Sequence, residues 1–473
     1  MLSKEAMRVD LRFDPNEVPL ITDLYELTMA ASYFELGFND LACFGMSARR
    51  LPARRGFLVA AGLERLLEAI EQFQFEPPII DYLDSLQLFT ADFLHFLGKL
   101  RFRGEIHALP EGTIFFGQEP IVEIHAPLIE AQLLETLVIN QVGMASLIAS
   151  KAARCRIAAQ EKRLVDFGLR RSQGVDAGLI AARSSYLAGF DGTSNVLAGR
   201  RYGIPLSGTM AHSYIMAHDR EREAFEHFVQ HFPKLSTLLV DTYDTVRGVE
   251  NAARVARQMK GRGLNLQGVR LDSGDLADLS FKSRRILDEN GLNETSIFAS
   301  GNLNEYKIAE LVKVSAPIDT FGVGTDMVVS ADAPALDVAY KLNEYAGKPR
   351  LKTSQGKLTL PGRKQVFRAI GEEGALAGDI IGLANENPKA IAREFASSPS
   401  NVASLLKIHL KEGHRMAPRP TLCESREHFL QALSKLEQRY KDLDEPDVYP
   451  VAFSHALDEM LLNEKRRAEQ IQD

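Results

Sequence analysis

Between about Lys162 and Ser330 two kinds of hydrophobic pattern alternate along the chain. Short β-branched or apolar runs each end in Gly, Asp, Ser or Thr: RLVDFG, YLAGFDGTSN, IPLSGTMAHS, TLLVDTYDT, GVRLDSGD, SIFASGNLN and DTFGVGT. Between them lie stretches such as Val246 to Met259, where apolar residues recur three or four apart among charged ones, the period of an amphipathic helix. With Asp166, Asp191, Gly208, Asp241, Asp272, Gly301 and Gly324 as markers, the units step by 17 to 33 residues. That spacing holds one strand, one helix and two short loops. Strands alternating with helices make a parallel sheet, and seven consecutive units predict a barrel more than an open doubly wound sheet. The small, acidic and hydroxyl residues follow the strands, at the carboxyl face where a barrel builds its site. A single motif of this kind is more often an ordinary turn; seven in series exceed what turns require.

The flanks read differently. Helical patterns at Leu20 to Leu36 and Ala61 to Phe73 mix with strand-like runs at Gly104 to Leu109, Thr113 to Phe116 and Ile121 to His125. The stretch KTSQGKLTLPGRKQVFRAI, Lys352 to Ile370, has Gly/Pro punctuation typical of small hairpins. From Glu424 onward the pattern is helical and charged, and KRR at Lys465 to Arg467 fits a solvated helical face better than a nucleic-acid patch. The fold class expected is therefore α/β: a parallel TIM-like barrel with an α+β domain formed by the N-terminal region and C-terminal segments. The expected divisions are an α+β domain at 1–134, the barrel at 135–345, a hairpin-rich segment at 346–400 packing on the N-terminal domain, and a helical tail at 401–473.

Composition narrows the classes. With 473 residues, 45% apolar and 25% charged, the chain is long enough for two or three domains. Lys+Arg 56 against Asp+Glu 63 gives a net charge of −7, which offers no global attraction to nucleic acid or an anionic membrane. Cys43, Cys155 and Cys423 stand far apart without a CxxC, against a disulfide framework or structural zinc and in keeping with a reducing cytoplasm. The opening MLSKEAMRVDLRFDPNE lacks the apolar core of a signal peptide, and no apolar run reaches bilayer-spanning length. A cytoplasmic protein is expected.

The strand-end motifs carry the chemistry. In GVRLDSGD, Asp272 and Asp275 flank a Ser-Gly turn beside Arg270, a set that can hold hydrated Mg²⁺ and the phosphates attached to it; the plain alternative is an Asx turn capping the next helix. DTYDT repeats the theme with Asp241 and Asp244. SGNLNEY and FGVGTD place Gly301, Gly322 and Gly324 where backbone amides can approach a phosphate monoester. No GxxxxGK[ST] occurs, and GVGTDM lacks the third glycine of a dinucleotide fingerprint. DFGLRR joins Phe167 to Arg170 and Arg171, which suit a flat anionic ring, although a core phenylalanine beside a surface basic pair reads as well. GTMAHS sets His212 at the same rim, able to act as base, ligand or phosphoryl acceptor. His227 and His231, four apart on one helix without HExxH, read as a helix face.

Together these motifs resemble one family, the nicotinate phosphoribosyltransferases, within the type II phosphoribosyltransferases. The matching strings keep family order over nearly the whole chain: TDLYELTMA at Thr22, DFGLRRSQG at Asp166, AGFDGTSNVLAG at Ala188, GTMAHS at Gly208, VDTYDT at Val240, VRLDSGDL at Val269, ASGNLNEY at Ala299, FGVGT at Phe321 and LPGRKQVFR at Leu360. The resemblance implies that nicotinate and 5-phosphoribosyl diphosphate form nicotinate mononucleotide and diphosphate, coupled to ATP hydrolysis, with Mg²⁺ required. It implies an irregular barrel in a homodimer whose Tyr25 reaches the other subunit's site. The pyridine ring would lie between Tyr25 and Phe167, with its carboxylate on Arg270 and Thr209. Gly301, Gly324 and Thr325 would cradle the ribose phosphate, and His212 matches the family's phosphorylated histidine.

Gly208 opens the GTMAHS string, and Arg170 supplies the cation near Phe167. After FDGT, relatives that use nicotinamide are expected to carry an acid; Ser194 stands here, and serine favours nicotinate. One departure is LPARRGFLVAAGL, where Arg55 precedes Gly56 and a glycine pair is commoner in the family. A quinolinate enzyme should present more cations for two carboxylates. A non-catalytic phosphosugar-sensing barrel would have no need of both acid pairs and His212.

Overall fold

A computed structural model describes residues 15–353, 359–395 and 399–472. The leader reading at the amino terminus and part of the Lys352 to Ile370 run lie outside them. Six short parallel strands alternate with helices: β1 Arg163–Asp166, β2 Gly192–Thr193, β3 Thr237–Leu239, β4 Gly268–Leu271, β5 Ser296–Ala299 and β6 Thr320–Val323. Their lateral order is β2-β1-β6-β5-β4-β3, every pair parallel. The connecting helices are amphipathic as the pattern requires. Thr245–Lys260 buries Val249, Ala252, Val255, Ala256 and Met259 on one stripe, and full burial of a Val or Met side chain contributes about 1.5–3 kcal/mol.

The sheet is curled but open, which corrects the seven-strand barrel. The run IPLSGTMAHS forms no strand: Leu206 makes one isolated bridge to Thr193, so the sheet ends at β2 on one side and β3 on the other. Pro205 has no N–H for a ladder, and only its carbonyl is used, accepting from Thr193 N at 3.0 Å. The stretch that carries Gly208, Thr209 and His212 is consequently a loop spanning the gap.

The N-terminal half builds an antiparallel seven-stranded sheet around its own apolar core. Strands Leu41–Ala48, Pro120–Pro127 and Glu105–Ala108 come from the expected α+β region. The others come from far along the chain: Val338–Tyr345 and Lys348–Pro349 at one edge, Lys407–Lys411 and His414–Arg415 at the other. The barrel block expected to run to residue 345 thus gives its last strand to the N-terminal sheet. The tail expected to be helical from 401 contains strands as well. Asn401–Ser404 and Val451–Phe453 flank the hairpin Lys364–Ile370/Leu376–Leu383 in a separate four-stranded sheet. Its helix Leu422–Lys435 begins in a capping box between Thr421 and Glu424. No helix among the described residues is long and apolar enough to cross a membrane.

Candidate active site

The carboxyl ends of β1, β4 and β5 bring the site together. Each strand alternates its side chains, so the residue that emerges at its end is set by the register. Phe298 pairs with Arg270 across β5 and β4. The Phe167 ring, just past β1, stacks on Phe298 with centroids 5.4 Å apart, and the Arg270 guanidinium lies 5.2 Å from the Phe167 centroid. Gly322 makes this possible, since a Cβ there would stand 2.7 Å from the Phe167 ring and 2.8 Å from that of Phe298.

Arg270 is the hub. Its Nε donates to Ser300 Oγ at 2.8 Å, one terminal nitrogen to Thr209 Oγ1 at 2.9 Å, and the other to Asp272 Oδ1 at 2.7 Å. Burial alone would push the Asp272 carboxyl up, but the Ser300 hydroxyl, Arg270 and His212 together hold it below its ordinary value. His212 Nε2 lies 3.8 Å from Asp272 Oδ2, while its Nδ1 is 3.1 Å from Thr242 Oγ1. Asp241 completes the rim by accepting from Asp272 N at 3.0 Å and from the Ser273 hydroxyl. Its second oxygen is buried without a hydrogen-bond partner, an acceptor of the kind a hydrated cation uses.

The two acid pairs divide. Asp275 Oδ1 accepts from Asp278 N at 3.1 Å and caps the helix Leu276–Glu289, and Asp244 caps Thr245–Lys260 in the same way. The Asx-turn alternative therefore holds for one acid of each pair, leaving Asp272 and Asp241 side by side. Gly301 has φ +91° and a Cβ there would meet Asp272 O at 1.9 Å, so only glycine lets the β5 loop pass the β4 loop. Asn304 Nδ2 donates to Asp326 Oδ2 at 2.9 Å and ties the β5 loop to the β6 loop that holds Gly324 and Thr325.

Other expected residues stand apart from this hub. Gly208 has no heavy atom within 4 Å of a would-be Cβ. Ser194 N donates to Asp166 O at 2.9 Å, beside Thr193, whose hydroxyl donates to Asp166 Oδ2 at 2.7 Å. Arg170 and Arg171 are exposed in the turn Leu169–Arg171. Tyr25, on the helix Leu24–Glu35, is 45% exposed. Partial burial and the nearby Glu135 raise its phenol above the ordinary value. No hydrogen bond or ring contact among the described residues joins it to Phe167. His227 and His231 share the helix Glu221–His231, as expected.

Sequence reasoning missed Phe298, Ser300 and Thr242. Each lies within a quoted run, but its role depends on a neighbouring strand. It also missed a cluster in the N-terminal sheet, where Cys43, Glu105, His107, Glu123 and His125 offer two groups of possible metal ligands. There Glu123 is bound by Lys364 Nζ at 2.8 Å and Glu105 by Lys411 Nζ at 3.0 Å. A cavity of about 930 Å³ lies elsewhere, between Arg65, Asp176, Tyr202 and Arg419, and shares no residue with the rim.

Open α/β sheets bind ligands outside the carboxyl ends of their strands, and this rim has an aromatic stack, a guanidinium and acids at that place. The fold is shared with a nicotinate-nucleotide pyrophosphorylase of Pyrococcus furiosus, whose crystal structure matches with a TM-score of 0.72 and 27% identity over 91% of this chain and 99% of that one. The human nicotinic acid phosphoribosyltransferase structure matches with a TM-score of 0.83 and 32% identity over 94% and 99%. A nicotinate phosphoribosyltransferase of Mycobacterium tuberculosis is 46% identical over 437 residues, 92% of this chain and 91% of its own. One from Bacillus subtilis is 37% identical over 93% and 94%. Profiles of the nicotinate phosphoribosyltransferase N-terminal domain, family and C-terminal domain match residues 20–143, 162–361 and 363–461. The chain belongs to the nicotinate phosphoribosyltransferase family.

Proposed function

We propose that the chain transfers a phosphoribosyl group from 5-phosphoribosyl diphosphate to nicotinate, yielding nicotinate mononucleotide and diphosphate as the first step of NAD synthesis from nicotinate. The observation that carries this reading is the Arg270 hub. A guanidinium beside the Phe167 ring and hydrogen-bonded to Thr209 suits a flat ring bearing a carboxylate. Ser194 adds no negative charge that would repel such a substrate.

The pyridine nitrogen already carries a lone pair, so the reaction needs no general base. Its lone pair forms the bond to the anomeric carbon as the bond from that carbon to diphosphate breaks and the electron pair leaves with diphosphate. The barrier lies in the oxocarbenium-like separation of charge, which groups that stabilise the leaving diphosphate lower. Asp272 and Asp241, with an acceptor oxygen unpartnered, fit a hydrated Mg²⁺ better than the Asp272–Asp275 pair, because Asp275 is engaged as a cap. Mg²⁺ would supply charge neutralisation of the diphosphate there. Gly301, Gly324 and Thr325 receive the ribose phosphate.

ATP hydrolysis is coupled through phosphorylation of His212. Its half-exposed ring stands beside the acidic rim, where an added dianion alters the pull on nearby basic side chains. The chain works as a homodimer in which Tyr25 of a second copy closes over Phe167. Exposed Leu24 and Tyr25 on the N-terminal helix, and exposed Val175, Val196 and Leu206 around the strand ends, support such a covered face.

The test offers nicotinate, nicotinamide and quinolinate separately with 5-phosphoribosyl diphosphate and Mg²⁺, with and without ATP, and separates products by chromatography. Nicotinate mononucleotide from nicotinate, enhanced by ATP with ADP released, is expected. Preference for nicotinamide would overturn the Ser194 argument, and an active His212→Ala enzyme that still couples ATP use to synthesis would overturn the phosphohistidine.

A further inference from the structure

Behind the rim lies a second charged cluster, buried except at Asp332 and built from four separate segments. Lys151 and Arg154 come from the helix Met144–Ala159, and Arg55 from the loop before Leu58–Val59. Glu305 opens the helix Glu305–Lys313, and Asp332 follows the short helix Thr325–Val328. Lys151 Nζ is 2.7 Å from Glu305 Oε2 and 2.8 Å from Asp332 Oδ1. Arg154 Nε donates to Glu305 Oε1 at 2.9 Å. Arg55 donates to Ser330 Oγ at 2.7 Å, to Asp332 Oδ2 at 3.1 Å and to Leu147 O at 3.2 Å.

Two features give this cluster a direction. The first is place: Glu305 directly follows the Gly301–Asn304 loop, and Ser330 and Asp332 close the stretch that begins at Gly324 and Thr325. Lys151 bridges the two loops that would take the ribose phosphate, Arg154 holds the first through Glu305 and Arg55 the second through Ser330 and Asp332, and Asn304 also ties one loop to the other. The second is charge. At ion-pair distance three cations meet two carboxylates, with Asp442 a more distant third acid for Arg154, and the Nε of Arg55, whose side chain is 1% exposed, has no hydrogen-bond partner, nor has Glu305 Oε2. An excess positive charge in a low-dielectric interior costs free energy unless an anion approaches it. A phosphate held by the adjoining loops supplies that missing negative charge.

We propose that Arg55 is a positioning residue for the phosphate of the phosphoribosyl substrate, acting through Ser330 and Asp332 to hold the β6 loop and contributing the excess positive charge behind it. This rests on the proposed function. It also accounts for the position where the sequence departs from the family's commoner glycine pair: the guanidinium is an internal brace rather than a loop contact with substrate.

Steady-state kinetics of Arg55→Gln and Arg55→Lys, with each substrate varied, test the proposal. For Arg55→Gln the KM for 5-phosphoribosyl diphosphate should rise about tenfold, the scale of one lost charged interaction, while kcat and the KM for nicotinate stay within about threefold. Arg55→Lys, which keeps the charge, should recover most of the loss. An unchanged KM for the phosphoribosyl substrate, parallel changes in all three constants, or a lysine variant as impaired as the glutamine one would each overturn the proposal. If Arg55→Gln fails to fold, Ser330→Ala decides: a KM rise confined to the phosphoribosyl substrate supports the brace, and no rise overturns it. A separate arm measures thermal stabilisation of the full chain by inorganic phosphate, which should be smaller in Arg55→Gln and Ser330→Ala than in the parent and close to the parent's in Arg55→Lys. That arm needs no turnover, so it distinguishes failure of the brace from failure of the transferase reading.

Discussion

Two regions of this molecule gather histidine and carboxylates, and they are built for opposite ends. In the N-terminal sheet, His107 and His125 stack with centroids 4.3 Å apart, and each hydrogen-bonds a glutamate that a lysine also neutralises. The strand-end rim sets His212 against Asp272 and leaves an Asp241 oxygen unpartnered beside half-exposed side chains. The first is closed in charge, since each glutamate is ion-paired to a lysine, although Glu123 Oε1 makes no hydrogen bond. The second keeps a buried acceptor on Asp241, paired with no cation among the described residues, next to the partly exposed His212 and Asp272. Convergence of reactive residue types is therefore a poor marker of a site unless some of their bonding capacity is left over.

The difference can be broken or sharpened by substitution. The largest effect is expected for Glu123→Gln, which leaves Lys364 buried without its partner and should cost about 3–5 kcal/mol of stability. Urea unfolding checks this, and the folded fraction should keep its kcat. Arg270→Met should do the reverse, lowering kcat/KM about 10²-fold or more while stability moves by less than about 1 kcal/mol. An Arg270→Met chain that loses stability as Glu123→Gln does would erase the distinction.

The closed cluster should contribute to the pH dependence of stability in two ranges. Burial, with His125 beside it, holds His107 below its ordinary 6.5, so the folded state favours the neutral ring. That contribution is present above pH 6.5 and is lost as pH falls through it. Burial pushes Glu123 up, but Lys364 and His125 more than offset this and bring it to about 2 from 4.5. Its contribution is present above pH 4.5 and is lost as pH falls toward about 2. Urea midpoints against pH should decline first below about 6.5 and again below about 4.5, and Glu123→Gln should shrink the second decline, leaving the share that Asp332 and Glu111 contribute. The smallest effect is expected for Asp275→Ala, which removes a helix cap and should cost about 1 kcal/mol. An increased Mg²⁺ requirement in that variant, measured by activity against metal concentration, would return Asp275 to the metal site.

What the chain determined locally could be read from it. The period of apolar residues announced the strand–helix alternation, and the strand ends announced Phe167, Arg270, Asp272 and Gly301, because a strand and its following turn are specified by neighbours a few residues apart. The position of Arg270 at the hub of a site was legible for the same reason. Its partners were not. Ser300 and Phe298 reach it only through the register of β5 on β4, and Thr209 reaches it only because Pro205 stops a strand and leaves a loop over the gap. Lys407–Lys411 falls within the expected helical tail at 401–473, yet it pairs as a strand with Glu105–Ala108 some three hundred residues earlier. Arg55 stands in the sequence only as a departure from a glycine pair until the fold buries it against Ser330 and Asp332. Local pattern records which backbone conformation and which face a segment prefers. Which distant segment then matches its hydrogen bonds and charges is decided by packing, where desolvation leaves only arrangements whose buried polar groups find partners.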